Sequence, residues 1–139
     1  MPNAATRPDG WFGPALAVVA IVTVYRIALL AFNSTDLFVD EAQYWFWGQN
    51  LAFGYYSKPP LIGWVIRAFT EIAGSDSVFW VRLPGALFHA ATALILAAIT
   101  APENGRRVAV FVAAAYVSLP MVTVGSFLIS TDTIMFPFL

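Results

Sequence analysis

Two adjacent carboxylates, Asp40 and Glu41, sit just past the end of a membrane-length apolar run, and an aromatic cluster, Tyr44-Trp45-Phe46-Trp47, follows them. A few residues on comes Tyr55-Tyr56-Ser57-Lys58-Pro59-Pro60-Leu61. This acid pair, aromatic belt and lysine fixed before two prolines are the concentrated polar chemistry of the chain. On a helix, neighbouring side chains diverge by about 100°, so Asp40 and Glu41 do not face each other as glycosidase carboxylates do. One can point into a cavity while the other contacts backbone, a cation or a metal. A carboxylate partly desolvated beside aromatics suits general-base work; capping a helix is the commoner role for an Asp at this place. Lys58 has its backbone held extended by Pro59. It is either a fixed cation for a phosphate or an interfacial lysine reaching the headgroups. Tyr55 and Tyr56 can stack on a sugar or anchor the loop. Asp132 closes a later apolar run, where capping and function are both open. His89 stands alone and reads as a hydrogen-bonded intramembrane residue rather than a metal ligand. No Gly-rich phosphate loop, Ser/His/Asp set or His/Cys metal spacing is present.

The elements that hold these residues follow from composition. Of 139 residues, 60% are hydrophobic and 11% charged, against about 25% charged in ordinary soluble domains; mean hydropathy is +0.75. This is the balance of an all-α integral membrane protein. A net charge of -1 points away from nucleic acid, and the lack of cysteine excludes disulfides and thiolate chemistry.

Residues 1–10 read as a short polar tail, and residues 14–32 as a first membrane helix that is retained rather than cleaved. Arg26 lies within it, either snorkelling to the headgroups or facing the interior to pair with an acid or a lipid phosphate. The outer loop, 33–77, carries two short interfacial helices. One starts at Asp40; the other runs from Leu61 to Ala73 behind Pro59-Pro60, with Arg67 and Glu71 at pairing distance. Further spans are expected at 78–100 and 108–129, joined by a tight connection over 101–107, and a fourth begins near the apolar end, Ile134–Leu139. The arginines at 7, 106 and 107 place the tail and the 101–107 connection in the cytoplasm. That puts Asp40, Lys58 and Asp132 on the outer side. The ending reads as the N-terminal part of a larger protein or as a truncated gene product, inactive alone, residues 1–139 forming one transmembrane portion.

Taken in order, Asp40-Glu41-Ala42-Gln43-Tyr44, Lys58-Pro59-Pro60-Leu61, Arg82-Leu83-Pro84-Gly85 and Ser130-Thr131-Asp132-Thr133 resemble the N-terminal region of the polyprenyl-phosphate-dependent GT-C glycosyltransferases. The bacterial members near protein mannosyltransferases and the aminoarabinose and galacturonic acid transferases of lipid A are the most similar. The resemblance implies an enzyme of the bacterial inner membrane. It would move a sugar from a polyprenyl-phosphate donor to a hydroxyl of a lipid, glycan or protein at the outer face, with inversion. It also implies Asp40 as base, Lys58 and Arg82 on the donor phosphate, and Glu41 and Asp132 shaping the site or holding a cation, a divalent metal included. Tyr44, Tyr55 and Tyr56 would contact sugar or lipid. Gln43 and Ser57 stand where the aminoarabinose transferases carry an Arg and an acid, which argues for a different donor or acceptor. The competing reading is a non-catalytic small membrane protein, a decayed copy or a subunit binding lipid or a partner.

Overall fold

A computed structural model describes residues 10–139. The polar tail and Arg7 lie outside the described residues. Six helices follow in order: α1 (Phe12–Ala31), α2 (Val39–Gly48), α3 (Leu61–Ala73), α4 (Val78–Ser118), α5 (Pro120–Gly125) and α6 (Thr131–Met135), with a short 3-10 turn at Phe136–Phe138. No strand occurs among the described residues. The chain is all-α, and α1 and α4 are each long and apolar enough to cross a membrane.

Helix α4 is two helices in one run. Gly105 breaks it with φ 78° and ψ 174°, a left-handed φ that a residue with a Cβ rarely adopts. In a straight helix, His89 and Tyr116 would lie roughly 40 Å apart at 1.5 Å per residue. Instead, His89 Nδ1 is 3.0 Å from the Tyr116 hydroxyl, so the chain folds back at Gly105. The 101–107 connection expected from Pro102 and Gly105 is therefore shorter than predicted. Helical structure persists to the edge of Gly105, and the reversal is concentrated at one residue.

Small residues let the antiparallel arms approach. Ala93, Ala97 and Ala101 on one arm and Ala109, Ala113 and Val117 on the other pack around Ala15 and Val19 of α1 in one buried cluster. Their spacing of four places each set on one face, the small-residue seam by which helices associate in lipid. Hydroxyls on these helices are returned to their own backbone: Thr92 donates to Phe88 O, Thr100 to Leu96 O and Ser126 to Val122 O. That removes unpaired donors from the apolar face.

Arg26 faces the interior, as one of the two readings held, but its partners are neutral. It donates to Ser126 Oγ at 3.1 Å, to Thr123 Oγ1 at 2.8 Å and to the carbonyl of Val117. Pro120 supplies no N–H, and Leu119 is extended with ψ 134°, so the last carbonyls before the break lose their helical partners. Arg26 takes up one of them.

The outer loop folds as a compact cap. Helix α3 spans the expected residues, beginning behind Pro59-Pro60 and ending at Gly74 in the left-handed conformation. Arg67 pairs with Glu71 at 2.5 Å and also donates to Gln49 Oε1 at 2.9 Å, tying α3 to the end of α2. Tyr44, Ile62, Ile66, Val81, Ile129 and Ile134 form the core of this half. They join α2, α3, the start of α4 and the segment after α5.

Candidate active site

Helix α2 begins at Val39, with Phe38 as its N-cap, so Asp40 is not the cap. Glu41 caps the helix instead, its Oε2 accepting the Phe38 N–H at 2.9 Å in the manner of a capping box. The remaining lone pairs of Glu41 are also used. Oε1 accepts Arg82 Nε–H at 2.9 Å and the Ile129 N–H at 3.0 Å, and Oε2 accepts Arg82 Nη2–H at 2.7 Å.

Arg82 is fully buried and Glu41 nearly so, at 0% and 2% exposed. The guanidinium also donates to the carbonyls of Thr35 at 3.0 Å and Asp36 at 2.9 Å, and it lies 5.9 Å from the centre of the Phe38 ring. This fork geometry suits Arg and not Lys. One ion pair thus ties the loop before α2, α2 itself, the start of α4 and the segment at Ile129 between α5 and α6. The sequence expectation set Arg82 on the donor phosphate. The structure leaves its guanidinium enclosed, with four hydrogen bonds to Glu41, Thr35 and Asp36. The cation that Glu41 holds is this arginine.

The predicted divergence of the two carboxylates is what the fold contains. Glu41 points in and is locked; Asp40 is exposed on the other side of the same helical turn. A cleft of about 320 Å³ lies there, lined by Phe38, Asp40, Glu41, Tyr44, Leu128, Ile129 and Ser130. Tyr44 stands one turn after Asp40 and is buried, 4% exposed. Burial, then the negative charges of Asp40 and Asp132, raises its pKa above the usual phenol value. Both carboxylates therefore bear on one phenol, although they are 92 positions apart in sequence. Asp132 is exposed on the first turn of α6.

Lys58 is exposed beside this region and belongs to neither salt bridge found among the described residues. Its neighbour Pro59 lines a small crevice with Leu61, Ile62, Thr131, Ile134 and Met135. The Lys-Pro-Pro motif thus meets the Ser-Thr-Asp-Thr motif, one residue from Asp132. Tyr55 is used internally: its hydroxyl donates toward Trp47 O at 2.8 Å and lies 3.1 Å from Asn50 O. Its ring stacks on Trp47, with centroids 5.0 Å apart and planes within 4°. Of the two alternatives for Tyr55, the fold takes loop anchoring. Tyr56 stands free at the surface.

Sequence reasoning missed Leu128, Ile129 and Ser130 as the far wall of the cleft. A faint signal exists in Gly85: a Cβ there would lie 2.7 Å from the Leu128 carbonyl oxygen. The glycine of the Arg-Leu-Pro-Gly motif lets this wall sit flush on α4. Among the described residues, no group of three or more His, Cys, Asp or Glu side chains gathers to hold a metal ion.

Residues 57–139 match the model of the dolichyl-phosphate-mannose-protein mannosyltransferase family. The chain belongs to that family. Protein mannosyltransferases are among the proteins that the four ordered motifs resemble. The matched residues take in Lys58, Arg82 and Asp132 and begin after Asp40. The chain is also 48% identical over 124 residues to the lipid A galacturonosyltransferase RgtD of Rhizobium johnstonii, across 89% of this chain and 26% of the relative. It therefore spans about a quarter of the length of that curated relative. No solved structure matches the chain.

Proposed function

We propose that this mannosyltransferase-family chain forms the catalytic cleft of a polyprenyl-phosphate-dependent sugar transferase. The observation that carries the reading is the split of the acid pair. Both line the open cleft with Tyr44 and Ser130, but Glu41 is buried and consumed by four hydrogen bonds, whereas Asp40 is exposed.

In the proposed reaction, Asp40 takes the proton of an acceptor hydroxyl as that oxygen attacks the anomeric carbon of the donor sugar. The bond between that carbon and the phosphate oxygen breaks, and the polyprenyl phosphate leaves with the electron pair. Attack from the side opposite the phosphate inverts the configuration. Lys58 neutralises the charge that develops on the departing phosphate, a fixed cation where negative charge grows. Tyr44, its phenol kept protonated by burial and by its acidic neighbours, donates a hydrogen bond to the acceptor or the sugar. Asp132 shapes the site from the adjoining cavity, which shares Ser130 with the cleft. Arg82 and Glu41 act as positioning residues that fix the turn bearing Asp40.

The 48% identity to a lipid A galacturonosyltransferase favours galacturonic acid as the sugar and lipid A as the acceptor. The fold-back at Gly105 supports three crossings of a bacterial inner membrane: α1, the first arm of α4, and its second arm continued by α5. Arg106 and Arg107 at the turn favour the cytoplasm for it and the periplasmic face for the cleft.

The test is transfer itself. Membranes holding the polypeptide that carries this chain are given a polyprenyl-phosphate-linked, labelled galacturonic acid and lipid A. Label should move to lipid A, and Lys58→Ala should raise the donor KM. If no label reaches lipid A, another glycan or protein, the reading fails.

A further inference from the structure

Below the acidic cleft lies a polar chain inside the apolar half of the molecule that the reaction above leaves unused. His89, on the first arm of α4, is buried at 3% exposed. Its Nδ1 meets the Tyr116 hydroxyl on the second arm at 3.0 Å, and its Nε2 meets Thr133 Oγ1 at 3.3 Å. Thr133 Oγ1 in turn lies 2.9 Å from Ser130 Oγ, which also accepts the Thr133 N–H at 3.2 Å. Space for the ring is made by Gly125, where a Cβ would lie 2.7 Å from His89 Nε2.

This chain ends on α6, the five-residue helix that carries Asp132. A helix so short has no stability of its own, since nucleation is unfavourable below about a dozen residues. Its place must come from anchors. Its inner face is Thr133 and Ile134, both buried, and its outer face is Asp132, exposed. Thr133 is the residue of α6 bonded to the long helices through a side chain, and its partner is His89. Ser130, the N-cap of α6, lines both the Asp40 cleft and a second cavity of about 270 Å³ whose walls include His89, Thr133 and Asp132.

We infer that His89 is a positioning residue for the Asp40 cleft: through the Thr133 hydroxyl it sets α6, with Asp132 on its first turn and its N-cap Ser130 lining that cleft. This rests on the proposed transferase reading for its effect on rate, and on geometry alone for its effect on placement.

Two measurements on the polypeptide that carries this chain separate these. The first is placement. The chain has no cysteine, so Asp40→Cys with Asp132→Cys gives a unique pair within it for a short bis-maleimide crosslinker. Crosslinking should be efficient with His89 and Thr133 intact and fall severalfold with Thr133→Val, which keeps shape and removes the hydroxyl. Undiminished crosslinking in Thr133→Val overturns the inference, whether or not the protein transfers sugar. The second is rate. Thr133→Val and His89→Ala should each lower kcat by about tenfold, the effect of one misplaced hydrogen-bonded group, with donor KM unchanged. The double variant should be no slower than the slower single variant, because both break one network. His89→Gln, whose amide can reach Thr133, should recover most of the rate. Additive losses, or a loss confined to KM, overturn the inference. If the double-cysteine protein crosslinks as expected but the wild-type protein transfers nothing, the proposed reaction is overturned and the placement stands.

Discussion

Removing Glu41 tests whether one ion pair holds the outer half together. In Glu41→Ala, Arg82 remains at the centre of the fold, 0% exposed, with no counter-charge. Breaking a buried pair from one side costs about 3–5 kcal/mol, because a charge is left without compensation. The N–H groups of Phe38 and Ile129 lose their acceptor as well, and a buried donor left unpaired costs about 1–3 kcal/mol. These contributions overlap, since the cavity can admit water, so a loss of at least about 4 kcal/mol is the working figure. Against a typical stability of about 5–15 kcal/mol, that is a large share. Glu41→Gln should lose less, because the amide oxygen still accepts while the charge is gone. The assay is thermal aggregation of the detergent-solubilised polypeptide, with yield in membranes as a second reading. Glu41→Ala should accumulate poorly and aggregate at much lower temperature, with Glu41→Gln between it and wild type. A Glu41→Ala protein as heat-resistant as wild type would refute the claim that this pair organises the loop, α2 and α4.

Gly85→Ala places a Cβ against the Leu128 carbonyl at 2.7 Å, so it should destabilise by about 1–3 kcal/mol and lower the melting temperature measured in detergent. The phenol of Tyr44, its pKa raised by burial and then by Asp40 and Asp132, should ionise above the usual phenol range, so Tyr44→Phe should remove a late step when absorbance is followed through alkaline titration. Because the folded state holds that proton more tightly, its contribution to stability is full below the unfolded phenol pKa of about 10 and is lost as pH rises beyond it. Tyr44→Phe should remove that slope, seen as melting temperature against pH.

Much of this arrangement is written locally in the sequence. Helix α3 is bracketed by Pro59-Pro60 and Gly74, so its limits follow from backbone rules. The divergence of Asp40 and Glu41 follows from helix geometry once a helix is placed there. What sequence could not supply is long-range pairing. Arg82 looks like a free cation at a helix start, and nothing near it in sequence names the carbonyls of Thr35 and Asp36 that enclose it. The third apolar run reads as one span over 108–129, yet helical structure stops at Gly125. Beyond it, the backbone of Ile129 pairs with Glu41, 88 positions away. The role of Asp40 as cap was the commoner expectation for an Asp beside an apolar run. It fails because Glu41 reaches back to Phe38 and takes that place.

The central claim is that Asp40 is the free carboxylate of the pair and takes the acceptor proton. Its direct test is kcat for sugar transfer by Asp40→Asn at saturating donor, in membranes holding the polypeptide that carries this chain. The side chain is exposed, so the fold and melting temperature should be unchanged. Loss of a general base should lower kcat by about 10²–10⁴-fold. Transfer by Asp40→Asn at near the wild-type rate would contradict the account.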